Sequence, residues 1–163
     1  MKEYIHIKRN FGPVFDADSE ILILGSFPSV KSREMAFFYG HPQNRFWPLM
    51  EKLLTCEIPR DAAAREKIMR MNRIALWDVI EECDIVGSSD SSIRNVVPVD
   101  IMKILNTAEI RQIFCNGNVS FRLYEKYLYP LCGRVSVKLP STSPANAAWT
   151  LDRLYEEWKR IRS

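Results

Sequence analysis

The chain has 163 residues, 47% hydrophobic and 26% charged, with a net charge of +3. That is the size and balance of one globular domain spanning residues 1–163, large enough to bury its own core. A pI near 8.7 permits an anionic partner without demanding one, and no apolar run is long enough to cross a bilayer. The four cysteines, Cys56, Cys83, Cys115 and Cys132, form no CxxC pair. Their spacing argues against a cysteine-ligated zinc or iron–sulfur cluster, and with no signal peptide the chain reads as a cytoplasmic protein with free thiols.

In chain order, the first element expected is a strand over Ile21–Gly25, ILILG, a continuous apolar run covered on both faces. Helical spacing follows over Asn44–Leu54 and Asp61–Met71. RIALWDVI, Arg73–Ile80, predicts a second strand. GSSDSS, Gly87–Ser92, is the most polar loop and reads as a surface excursion. A helix over Pro98–Asn106, a third strand over Ile110–Gly117, a helix over Asn118–Leu128 and a fourth strand over Arg134–Ser141 come next. The chain closes on a helix over Ser143–Arg162, where Leu151, Leu154, Tyr155 and Trp158 recur at three- and four-residue steps. Strands alternating with helices predict an α/β fold, a three-layer α/β/α sandwich around a short, mostly parallel four-stranded sheet.

Such sheets bind ligands beyond the carboxyl ends of their strands. GSFPS, WDV, CNGN and LPSTSPANAAW sit at those ends, and FFYGHPQNRFW hangs off the first, so the unusual chemistry converges on one rim. Flat rings beside hydrogen-bonding groups in one loop suit a flat polar ligand. Of Phe37, Phe38 and Tyr39, two are expected in the core and one in a pocket. Asn44 can hold a water or a ligand carbonyl, or cap the helix after it. Asp78 can accept a ligand N–H or serve as a turn cap. His41 can be a general acid or a turn residue, and His6 reads as structural. Ser26, Ser29, Ser141 and Ser143 lie in Pro-containing turns that suit phosphate oxygens as well as simple turn chemistry. There is neither a GxGxxG nor a P-loop.

The segments ILILGSFPS, YGHPQNRFW, ALWDVI, FCNG and LPSTSPANAAW, in that order from Ile21 to Trp158, resemble the uracil-DNA glycosylase superfamily and most closely its hypoxanthine-DNA glycosylase branch. The resemblance implies an α/β/α domain that flips a damaged base from DNA and cleaves its N-glycosidic bond with no metal or other cofactor. Phe27 stands where many members carry a water-activating Asp or Asn, and the branch implies that Asn44 takes that role. Tyr39 matches the aromatic on which the base stacks. Leu139 replaces a histidine that stabilises the leaving base, which argues against strong uracil activity. The STSPANA segment matches the wedge that fills the emptied stack.

These expectations combine into one site. Asn44 is catalytic; Tyr39, Ser26, Phe27, Asp78 and Asn116 bind the base; Ser29, Ser141, Ser143 and Asn146 contact the DNA. The partner is DNA containing a deaminated base, and the protein is expected to act as a monomer. Three other readings stay open, one of them a small-molecule α/β enzyme using the same rim. A uracil or broad deaminated-base glycosylase shares the fold and reaction. A protein that binds damaged DNA without cleaving it fits the loss of two familiar polar residues at Phe27 and Leu139.

Overall fold

A computed structural model describes residues 3–163. The chain runs β1 (Ile5–Lys8), β2 (Ile21–Gly25), α1 (Val30–Met35), α2 (Phe46–Leu54), α3 (Ala62–Met71), β3 (Ile74–Asp78), β4 (Ile80–Ile85), β5 (Arg94–Pro98) and α4 (Met102–Leu105). It continues through β6 (Gln112–Asn116), α5 (Asn118–Leu123), a π-helical turn at Tyr124–Leu128, α6 (Tyr129–Cys132), β7 (Ser136–Leu139) and α7 (Leu151–Trp158). The fold is α/β, built on a four-stranded sheet in the order β3-β2-β6-β7 with every pairing parallel.

Every residue of β2 and β3 is buried, as unbroken apolar runs require when both faces of a sheet are covered. From β2 the chain steps one way to β3; from β6 it steps the other way to β7. Right-handed crossovers then put the α1–α3 connection and α5 on opposite faces. The strand order reverses between β2 and β6, which opens a crevice at their carboxyl ends. α7 packs on α2, burying Leu154 and Trp158 completely.

The expected strand over Arg73–Ile80 is two strands in two sheets. β3 stays in the parallel sheet. After it, the Val79 and Ile80 amides donate to the carbonyls of Gly25 and Ser26 at 2.9 and 3.1 Å, and β4 leaves to join a three-stranded antiparallel sheet, β1-β4-β5. Sequence patterning missed this sheet because β1 and β5 are short and largely exposed, as edge strands often are. Two helices are also shorter than expected. Pro98 ends β5, and the helix after it is only Met102–Leu105. The closing helix starts at Leu151, where Thr150 caps it by accepting the Arg153 amide; SPANAAW before it is a run of turns. No helix among the described residues is long and apolar enough to cross a membrane.

Candidate active site

At the crevice lies a cavity of about 390 Å³, a volume suited to a small ligand. Ser26, Phe27, Ser29, Tyr39, Asn44, Asp78, Asn116, Ser141 and Ser143 all line it. Asn146 lines an adjoining cavity of about 630 Å³ that shares Ser26, Asp90, Asn116, Ser141 and Ser143 with the first. The tertiary structure therefore brings every residue picked from the sequence to one connected groove.

The floor is β2 and β3. Asp78 ends β3 and turns inward rather than capping a turn: its Oδ2 accepts Arg9 Nη1 at 3.0 Å, with both side chains buried. Arg9 also donates to the carbonyls of Phe11 and Ile80, and its guanidinium lies 5.0 Å from the Phe11 ring centre. Burial pushes the Asp78 carboxyl above its usual 3.8, a larger effect than the pull of Arg9 the other way. Gly25 is the residue that lets Asp78 in: a Cβ there would sit 2.4 Å from Asp78 Oδ1. Arg9 Nη2 and the Tyr39 hydroxyl are buried beside this floor without a hydrogen-bond partner among the described residues. Arg9 escaped the sequence reading because a single arginine has no periodicity, and its partner is 69 residues away.

One wall is the loop from Phe37 to α2. Phe37 and Phe38 are core residues, and Trp47 Nε1 donates to the Phe38 carbonyl at 3.1 Å, which pins the loop. Tyr39 has a φ of 54°, an uncommon conformation for a side chain of this size. Its ring stacks on Phe46 at 4.0 Å, so only its other face is left for a ligand. Burial, with Asp78 nearby, pushes its phenol pKa up. Arg45, not Asn44, is the N-cap residue of α2; Asn44 sits one residue earlier, where its Oδ1 accepts the Phe46 amide at 2.9 Å, and its Nδ2 has no partner among the described residues. His41 Nδ1 accepts the Gln43 amide at 3.1 Å, as a turn residue does.

Arg45, also missed, organises the opposite wall. Its guanidinium donates to the carbonyls of Ser143, Asn146 and Trp149, and its amide to Thr142. The adjacent Asn-Arg pair thus joins the two walls. Asn116 exchanges two hydrogen bonds with Thr142, both at 3.0 Å, leaving its second Nδ2 hydrogen uncommitted. Ser141 and Ser143 Oγ accept the amides of Ser143 and Ala145, so their hydroxyl protons remain available. Ser29 caps α1 and donates to Ser32. Asn146 folds back to donate to the Ser141 carbonyl. The amides of Ser26 and Phe27 have no acceptor among the described residues.

A family model described as the uracil DNA glycosylase superfamily matches residues 13–162. The chain belongs to this superfamily. That places it among the hydrolases of N-glycosyl bonds, as the motifs along its rim imply. It is 34% identical over 157 residues to a hypoxanthine DNA glycosylase of Methanosarcina acetivorans, covering 95% of this chain and 98% of the relative. A hypoxanthine DNA glycosylase of Methanosarcina barkeri is 32% identical over 142 residues, 85% of this chain and 88% of the relative. A solution NMR structure of a candidate uracil DNA glycosylase from Methanosarcina acetivorans superposes with a TM-score of 0.80 at 34% identity, over 96% of each chain. No group of three or more His, Cys, Asp or Glu among the described residues could hold a metal ion. Phe27 is buried against the Arg33 guanidinium and carries no group that could activate water.

Proposed function

We propose that this chain is a monofunctional DNA glycosylase that extrudes a deaminated base, hypoxanthine foremost, and hydrolyses its N-glycosidic bond to leave an abasic site. The observation that carries this reading is the cavity itself, which has a carboxylate at its floor, an aromatic wall and hydroxyl-bearing turns at its mouth. Deamination of adenine turns a ring nitrogen from acceptor into N–H donor. A carboxylate oxygen such as Asp78 Oδ1 accepts that N–H and repels the lone pair of adenine. The amides of Ser26 and Phe27 donate to the base carbonyl, Asn116 offers its remaining N–H, and the open face of Tyr39 stacks on the ring.

Cleavage of a nucleoside bond separates charge, with an oxocarbenium-like sugar and an anionic leaving base. Fixed donors aimed at the departing base stabilise it, each worth about 3 kcal/mol in turnover. In this reading Asn44, whose Nδ2 is uncommitted among the described residues, donates to the base or holds the water at C1′. Ser29, Ser141 and Ser143 contact the phosphates on either side, and Asn146 with its neighbours fills the emptied stack. Flipping costs a few kcal/mol, least for a mispaired base.

The test is a cleavage assay on duplexes carrying one deoxyinosine, uracil or xanthine, followed by alkali. Strand breaks at deoxyinosine that fall about 100-fold in Asn44→Ala, with stability lowered by only about 1 kcal/mol, support the reading. Equal breaks at uracil would show a broader deaminated-base enzyme, which the same Asp78 acceptor favours, since uracil also carries a ring N–H. Tight binding with no breaks anywhere would leave a damage-binding protein.

A further inference from the structure

Hydrolysis leaves one proton to be placed. The C1′–N bond breaks with its electron pair on the base, the water oxygen bonds to C1′, and that water must lose a proton. An amide such as Asn44 can hold the water but cannot take the proton. The proton acceptors on the cavity wall are Asp78, His41 and Asp90. Asp78 lies at the floor, bound to Arg9. His41 has its Nδ1 engaged in its own turn. A nucleotide that enters base first puts its ring on the floor and leaves C1′ at the mouth, where Asp90 lies.

We propose that Asp90, on the polar loop between β4 and β5, is a catalytic residue that accepts the proton of the attacking water. It lines both cavities where they meet. Its Oδ1 accepts Ser26 Oγ at 3.1 Å, and Oδ2 has no partner among the described residues. The loop is held in place. Val30 N donates to Ser88 Oγ at 2.9 Å, tying the loop to the segment after β2, and Ser92 Oγ accepts Val86 N at 2.8 Å and donates to the Ser89 carbonyl at 2.7 Å. Asp90 stays accessible to solvent, yet the protein packed around its carboxyl raises its pKa from 3.8 against the Ser26 hydrogen bond, with Asp78 adding to the rise. That makes it a stronger base than a free carboxylate.

This inference rests on the glycosylase reading above. Its test measures single-turnover cleavage of a deoxyinosine duplex and duplex affinity side by side for wild type, Asp90→Asn and the loop control Ser91→Ala. Cleavage by Asp90→Asn should fall about 100-fold or more, while the duplex binds as tightly or more tightly, since a negative charge has left a phosphate-facing groove. Ser91→Ala should match wild type. Asp90→Asn cleaving within about threefold of wild type, well short of the general-base range, overturns the proposal. So does a parallel loss of cleavage and affinity, which would make the residue structural. Wild type that cleaves no deaminated base overturns the glycosylase reading, and the assignment of Asp90 falls with it.

Discussion

Arg9 and Asp78 form a buried ion pair in a chain whose other ion pairs among the described residues are all more exposed. Removing one partner strands the other charge away from water. Arg9→Met should therefore cost about 3–5 kcal/mol in chemical denaturation, whereas Arg9→Met combined with Asp78→Leu should recover much of that loss. The pH dependence has a definite sign. Asp78 titrates above 3.8 in the folded state, so the folded protein holds a proton that the unfolded chain has lost, and this group's contribution to stability falls as pH rises from 3.8 to the folded value. Without Arg9 the folded value moves higher still. The variant should lose stability over a wider range above about pH 4, read from urea midpoints at successive pH values. A slope in the variant equal to wild type would mean that Arg9 does not govern the ionisation of Asp78.

The antiparallel sheet carries its own pH signature. His6 on β1 lies 2.8 Å from Asp84 and 2.9 Å from Glu82 on β4. Hydrogen bonds to Asp84 and then Glu82 raise its pKa above 6.5. The stability it contributes is fully present below 6.5 and is lost as pH rises through the folded value. His6→Ala should flatten the stability profile above about pH 6.5, and an unchanged profile would show that the exposed cluster adds nothing. At α7, Thr150→Ala removes the cap on the Arg153 amide and should cost about 1 kcal/mol in thermal or urea melts. These elements differ in how plainly they show in sequence. α7 announces itself because Leu151, Leu154 and Trp158 face one side, but its start does not, since SPANAAW is held as turns by Arg45 from another part of the chain.

Taken together, the groove gathers one end of the parallel sheet, the loops beyond it and a modest net charge of +3. Exposed Lys138 lines the larger cavity, where the strand flanking an extruded nucleotide would run. Lys138→Ala should weaken duplex binding for all sequences alike and reduce the salt slope by about 1, measured as affinity against salt concentration. An unchanged slope would place the DNA elsewhere.

The sequence alone was sufficient for the α/β class, for the four parallel strands within a few residues and for the superfamily. It was also sufficient for a rim to which Asn44, Tyr39, Asp78, Asn116 and the serines all map. Those features are local: burial on both faces makes apolar runs, and loops at strand ends carry compact motifs. What the tertiary structure decided is what depends on distant partners. Arg9 meets Asp78 only because β4 leaves the first sheet and pairs with β1. Arg45 clamps a loop nearly one hundred residues on. Asp90 sits in a stretch that reads as plain solvent-facing loop, and it comes over the cavity because Ser26 and Val30 bind that loop from the far end of β2. A long-range ion pair or hydrogen bond leaves no periodicity in sequence, because its geometry is set by the order of the strands and not by the spacing of its own neighbours.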